Sequence, residues 1–201
     1  MLFAARMALV AAVFLSAAVD PGSAPNGPPA DRLNPGAALH TGKPEPPTTE
    51  VRIGDVAPDF SYEAFDGHWR RLHELRAQGP VLLVFVPDEN QLRLMERERA
   101  RLMDLGVVPV AVMDVSPRAT LGLVQHLSLK YSVLSDPRSV IAEQFNAIDW
   151  RTHATQVAWF LLDEKGMVRA LDRGTFPDAP VAMAAEALGR PAPGTAVSTS
   201  R

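Results

Sequence analysis

Residues 80–105 read PVLLVFVPDENQLRLMERERARLMDL, and this stretch decides the fold. The run 81–86 is apolar at every position and rich in β-branched side chains, the pattern of a strand covered on both faces. Pro87 ends it, and Asp88 or Asn90 can cap the helix that begins there. From about Asn90 to Leu105, Leu92, Met95, Leu102 and Met103 recur at helical spacing and mark the buried stripe. Arg93, Arg97 and Arg101 recur every four residues on another face, interleaved with Glu96 and Glu98, as in a solvated face with helical ion pairs. Gly106 stops the helix. In many proteins such a strand-to-helix junction mounts a reactive side chain. Here the first helical turn offers Gln91, Leu92 and Leu94, and the chain contains no cysteine.

The absence of cysteine excludes disulfides, thiolate catalysis and cysteine-ligated metals throughout the chain. The 201 residues are 47% hydrophobic and 21% charged, an ordinary globular composition. A net charge of -3 argues against a nucleic-acid partner, which needs a basic field.

The two ends differ from the middle. Residues 7–19 form a short apolar stretch behind Arg6, too short for a bilayer-spanning helix of about 20 residues. Ser16, Ala17 and Ala18 supply the small residues a signal peptidase reads, so residues 1–18 are expected to be a signal peptide cleaved near Ala18. An uncleaved membrane anchor is the alternative. The expected address is periplasmic or secreted, with a membrane involved only if the segment stays on. Eight prolines lie between Pro21 and Pro47, with glycines among them, so residues 19–50 read as a disordered tether. Residues 190–201 read as a flexible tail, leaving 51–189 as the folded domain.

Within that domain, Asp66-Gly67 is a hairpin turn between two short strands, and residues 72–77 form a helical turn. Residues 107–113 are a second buried strand, in which Pro109 marks a place where the ladder needs no donor. Ser116-Pro117 opens a helix carrying Leu121, Val124, Leu127 and Leu129. A short extended piece at 133–134, a helix at 140–145, strands at 157–162 and 167–171 joined by the turn 163–166, and a helix at 179–188 complete the order. Strands joined through helices imply right-handed parallel crossovers, and the last two strands run antiparallel. The expectation is an α/β fold, a thioredoxin-like mixed sheet with helices on both faces and an N-terminal β-hairpin.

Several strings in this order resemble the peroxiredoxins, the alkyl hydroperoxide reductase and thiol-specific antioxidant (AhpC/TSA, redoxin) family. They are IGDVAPDF at 53–60 followed by Asp66-Gly67, the strand ending at Pro87, LKYSVLSDP at 129–137, and WFLLDEKG at 159–166. The resemblance spans about residues 52–172. It implies a proline, a threonine four positions on, the peroxide-attacking cysteine three further, and an activating arginine just before the strand at 159–162. Pro87 matches. The threonine position falls on Gln91, the cysteine position on Leu94 and the arginine position on Val157, with Arg151 the nearest cation upstream.

Peroxide reduction by this route needs a thiolate whose pKa is lowered by a helix N-terminus and a cation, and leucine offers no lone pair. Met95 could be oxidised only stoichiometrically, and its spacing puts it in the buried stripe. No catalytic residue is expected, and Pro87, Asp88, Asn90 and Gln91 would line a vestigial pocket; the plainer reading of Asp88 or Asn90 is a helix cap. His40, His68, His73, His126 and His153 show no ligand spacing, so neither a metal nor another cofactor is expected. Trp69, Trp150 and Trp159 are scattered and read as packing residues. The expected function is an exported redoxin-family protein that has lost thiol peroxidase chemistry and acts as a binding or scaffolding module for a protein partner. The alternative is an antioxidant oxidoreductase working by a non-cysteine route.

Overall fold

The computed structural model describes residues 50–63 and 68–193. The signal segment, nearly all of the tether, the Asp66-Gly67 turn and most of the tail lie outside the described residues. Among the described residues no helix is long and apolar enough to cross a membrane.

A hairpin of β1 (Ser61–Glu63) and β2 (Trp69–Arg71) leads into α1 (Leu72–Arg76). The central unit comes next as β3 (Val81–Phe85), α2 (Glu89–Asp104), β4 (Val108–Met113), α3 (Pro117–Leu127), β5 (Ser132–Ser135) and α4 (Val140–Gln144). Two two-residue strands, β6 (Ile148–Asp149) and β7 (Ala154–Thr155), pair with each other. Strands β8 (Ala158–Leu162) and β9 (Val168–Arg173) and helix α5 (Pro180–Ala187) close the domain.

The main sheet has the order β5-β4-β3-β8-β9, with β3, β4 and β5 parallel and β8 and β9 antiparallel to their neighbours. Alternation along the strands assigns each side chain to a layer. Val81, Leu83 and Phe85 join Val110, Val112, Phe160 and the α1 and α4 residues Leu72 and Ile141 on one face. Leu82 and Val84 join Trp159, Leu161 and the α2, α3 and α5 residues Met95, Leu127 and Val181 on the other. Phe60, Phe85, Phe145 and Phe160 form a cluster in the first layer, with ring centroids 5.1–5.9 Å apart, three of the pairs edge-to-face and the pair of Phe85 and Phe145 tilted. Pro109 is tolerated in an interior strand for a local reason. The N–H of Val108 points to Pro80 of the β3 side, so the missing donor at 109 faces β5, whose pairing begins only at Val110 opposite Ser132.

Two expectations shift. Met103 is 49% exposed, although it lies near the same angular position as Leu92. The chain that covers this side of α2 reaches Leu92 through the Tyr131 hydroxyl and Glu96 through the Lys130 N–H, two turns short of Met103, and Leu105 takes the last buried place instead. Leu129 stands outside α3, because Ser128 turns left-handed (φ 53°) and ends the helix.

Two contacts govern how the turns respond to substitution. Gly79 (φ 147°) passes so close to Gly106 that a Cβ there would lie 2.2 Å from the Gly106 carbonyl oxygen. Gly79→Ala is therefore expected to lower unfolding free energy by at least ~2 kcal/mol in urea titration. Gly122→Ala on α3, where a Cβ meets nothing within 4 Å, should leave stability equal or raise it by up to ~1 kcal/mol. Asp163 organises the β8–β9 turn: it is buried, and accepts from the N–H groups of Lys165 and Met167 and from Arg169 at 2.7–2.9 Å. Burial pushes its pKa up, but the Met167, Arg169 and Lys165 hydrogen bonds outweigh that and hold it below the ordinary carboxylate value. Its contribution is thus complete above the unfolded pKa near ~3.9 and disappears as pH falls through the lower folded value. The stability gap between the native chain and Asp163→Asn should narrow steadily from about pH 5 to about pH 2 in denaturant titrations.

Candidate functional site

Strand register determines what meets at the end of β3. Phe85 pairs with Val112 on one side and Ala158 on the other, and Ala158 pairs with Arg173. The exit of β3, the entry to β8 and the exit of β9 therefore share one edge, at the carboxyl ends of the parallel strands where α/β sheets place their sites.

Val86 makes the turn out of β3. Its N–H still donates to the Val112 carbonyl at 2.8 Å, yet its φ is 38°. A β-branched residue, and one preceding a proline, disfavours that conformation, so the junction is strained. Pro87 is buried. Asp88 then caps α2: its Oδ1 accepts the Gln91 N–H at 2.8 Å, and the Gln91 side-chain oxygen accepts the Asp88 N–H at 2.9 Å. This reciprocal capping box decides between Asp88 and Asn90, and it engages the residue at the expected threonine position in holding the helix end. Asn90 is exposed beside it.

One turn further, the half-buried Leu94 lines a cleft of about 540 Å³ together with Asp88, Asn90, Gln91, Arg97 and the loop residues Thr175, Phe176 and Asp178. Three of the four expected pocket residues thus meet Leu94 in one cavity, while Pro87 precedes them in the chain and is not part of its lining. Val157 stands at the entry to β8, half-buried, and its carbonyl accepts from Gly174 N–H at 2.6 Å. It belongs to the same sheet edge but carries no charge. Arg151 is not brought to the cleft; it lies in the β6–β7 turn with its guanidinium 5.0 Å from the Trp150 ring centre.

The cation that does line the cleft is Arg97. Its row-mates are engaged along the helix, Arg93 with Glu89 at 3.6 Å and Arg101 with Glu98 at 2.7 Å, whereas Arg97 makes no ion pair with any described residue. The far wall, Thr175 to Asp178, was not anticipated from sequence. The signal was present in GTFPDAP at 174–180, where glycine and prolines separate strand from helix, but only the register of β9 places it opposite Leu94.

Met95 is fully buried under the sheet, away from any oxidant in solvent. Tyr131 donates its hydroxyl to the Leu92 carbonyl at 3.1 Å, and burial, with Glu96 behind it, pushes the phenol up, so it holds its proton as a structural donor. His73 lies on α1 with Nδ1 3.0 Å from Asp59 Oδ2, and its role is structural: the Asp59 carboxylate also accepts the His73 N–H and so ties the family-like opening segment to the helix. His40 lies outside the described residues. Among the described residues no three histidine, aspartate or glutamate side chains gather as metal ligands.

Comparison with known proteins agrees with the fold. A model of the AhpC/TSA family matches residues 53–171. The chain is 24% identical over 132 residues to a Coxiella burnetii protein named as a peroxiredoxin, bcp, covering 60% of this chain and 87% of the relative. The crystal structure of peroxidoxin BcpB from Mycobacterium tuberculosis superposes with a TM-score of 0.63 at 21% identity, over 70% of this chain and 97% of that one. The crystal structure of Enterococcus faecalis AhpC gives 0.60 at 19% identity, over 70% and 94%. The fold is thioredoxin-like, of the peroxiredoxin type.

If Val86 carries backbone strain, glycine should relieve it. Removing a left-handed β-branched residue recovers ~1–2 kcal/mol, and the added chain entropy of glycine returns ~0.5–1 kcal/mol. Val86→Gly is expected to shift the urea midpoint little in either direction. Val84→Gly, two residues back in the fully buried strand, should cost ~2 kcal/mol or more.

Proposed function

The chain belongs to the AhpC/TSA family, and from that premise we propose that it is an exported redoxin-family protein without thiol peroxidase chemistry, whose β3–α2 cleft binds a protein partner. The observation that carries this reading is the hydrocarbon side chain of Leu94 in the cleft where the family resemblance implies a sulfur nucleophile. The chain has no cysteine to take its place, and Gln91 is engaged in the helix cap. A thiolate mechanism therefore lacks its electron pair, and the position where the resemblance implies the activating arginine is Val157. Export is supported by the apolar residues 7–19 behind Arg6 and by the small residues 16–18.

The groups present in the cleft suit recognition rather than bond-making. Leu94 and Phe176 supply an apolar floor, and Arg97, Asp178 and Thr175 supply polar groups at its rim. An apolar centre with a polar surround is the anatomy of a small protein-docking site.

With a thiol reductant supplied, the purified chain is expected to consume hydrogen peroxide no faster than buffer; turnover above that control would overturn the loss of peroxidase chemistry. Proteins that co-purify with the native chain should be lost with Leu94→Glu and with Arg97→Glu. An unchanged set in both variants would remove the cleft from the binding role.

A further inference from the structure

A second cleft lies beside the carboxyl end of β5, the strand at the opposite side of the sheet from β9. It encloses about 660 Å³ between the β1–β2 hairpin, the start of α3 and the β5–α4 connection. That size falls in the range of small-molecule sites, about 300–1,000 Å³. Its walls are mostly apolar, and three of them are large side chains left in water: Trp69 is 71% exposed, Val140 50% and Leu121 41%. Tyr62 and Ile141, both buried, form the base.

The polar groups of this cleft divide into those engaged within the fold and those turned to solvent. Asp136 is buried and directs its carboxylate at the N–H groups of Val140, Ile141 and Ala142, at 2.8–3.0 Å. Ser135 donates its hydroxyl to the Val115 carbonyl. Arg118 and Arg138, on α3 and on the β5–α4 connection, are exposed at the rim and make no ion pair with any described residue. Among the described lining residues Glu63 is the one exposed acid. Two unpaired guanidinium groups beside an apolar trough favour a ligand with an apolar body and a carboxylate head, which an arginine can hold bidentately. Among the described lining residues the single glutamate leaves the rim net positive. A cationic or neutral amphiphile would gain the trough but leave the arginines unmatched.

We propose that this cleft binds a small anionic amphiphile, a monocarboxylate with a hydrocarbon tail, with the tail against Trp69, Tyr62, Leu121 and Val140 and the carboxylate at Arg118 and Arg138. The site is separate from the Leu94 cleft and does not depend on the reading of that one.

Decanoate is the probe, titrated into the full chain below its micelle concentration and followed by calorimetry and by tryptophan emission. Saturable binding is expected, with a blue shift that Trp69→Phe abolishes. Arg118→Gln/Arg138→Gln should weaken decanoate about tenfold or more, while 1-decanol, weaker in the native chain, should be unaffected by the double variant. Far-UV circular dichroism and the urea midpoint establish that the double variant is folded. Equal affinity for decanoate and decanol, or no effect of the double variant, would overturn the proposal. So would loss of decanoate binding in Arg97→Gln, which would move the site to the other cleft. A concentration-dependent dimer that Trp69→Ala dissociates, and that excludes decanoate, would assign the trough to a second copy of the chain and also overturn it.

Discussion

Strand β3 is hydrogen-bonded on both sides, in parallel to β4 and antiparallel to β8, and where that double pairing stops determines where three chain segments emerge. Beyond Phe85 the ladder retains one bond, from the Val86 N–H to Val112, and then the chain must leave the plane. Because β8 and β9 succeed it as antiparallel neighbours, their start and end come to the same edge as the exit of β3. The cleft at Leu94 is a consequence of this pairing. It would exist with almost any side chain at 94, since its walls are placed by register and its floor by the phase of α2.

Features governed by local chemistry were legible in the sequence. The capped start of α2, Ser116-Pro117 opening α3 and the turn at Asp163 each rest on side chains hydrogen-bonding or constraining backbone within a few residues, and each is where the spacing put it. The two-layer core was legible as well, because β3 and β8 are apolar at consecutive positions. Features set by chain segments distant in sequence were not. Nothing near Met103 reveals that its cover runs out two turns earlier, and β6 and β7 are too short to have a pattern of their own. The wall at residues 174–178 meets Leu94 although some 80 positions separate them in the chain. Arg97 illustrates the same limit. Its helical neighbours at i−4 and i+4 were expected to share its fate, but only they pair along the helix, whereas Arg97 faces a loop that helical periodicity cannot see.

The two clefts are alike in size and opposite in character. At Leu94 both signs of charge are present, with Arg97 flanked by Asp88 and Asp178, and the Asp88 carboxylate is already engaged by the helix end. Such a mixed rim is self-compensating in water and selects by shape more than by charge. In the trough by Trp69 the one buried acid is engaged by α4, and the exposed balance is cationic. Large apolar side chains left in solvent beside uncompensated charge are a standing free-energy cost, which association with a complementary group removes. The two clefts share no lining residue: one lies at the exits of β3 and β9, the other at the exit of β5.

The strain at Val86 also bears on how the junction is to be understood. Strained backbone at a site usually prompts the inference that chemistry requires it. Here its cause lies in the ladder: Val86 must keep its N–H on Val112 while Pro87, which has no N–H and limits the residue before it, turns the chain toward α2. Val86 keeps that bond with a positive φ that the following proline disfavours, regardless of the side chain mounted one turn later. Aiming α2 at this edge thus carries the same backbone cost with leucine at position 94 as with a reactive group. A strained strand-to-helix junction in this architecture is evidence of how the helix is mounted, and the chemistry has to be read from the side chains it presents.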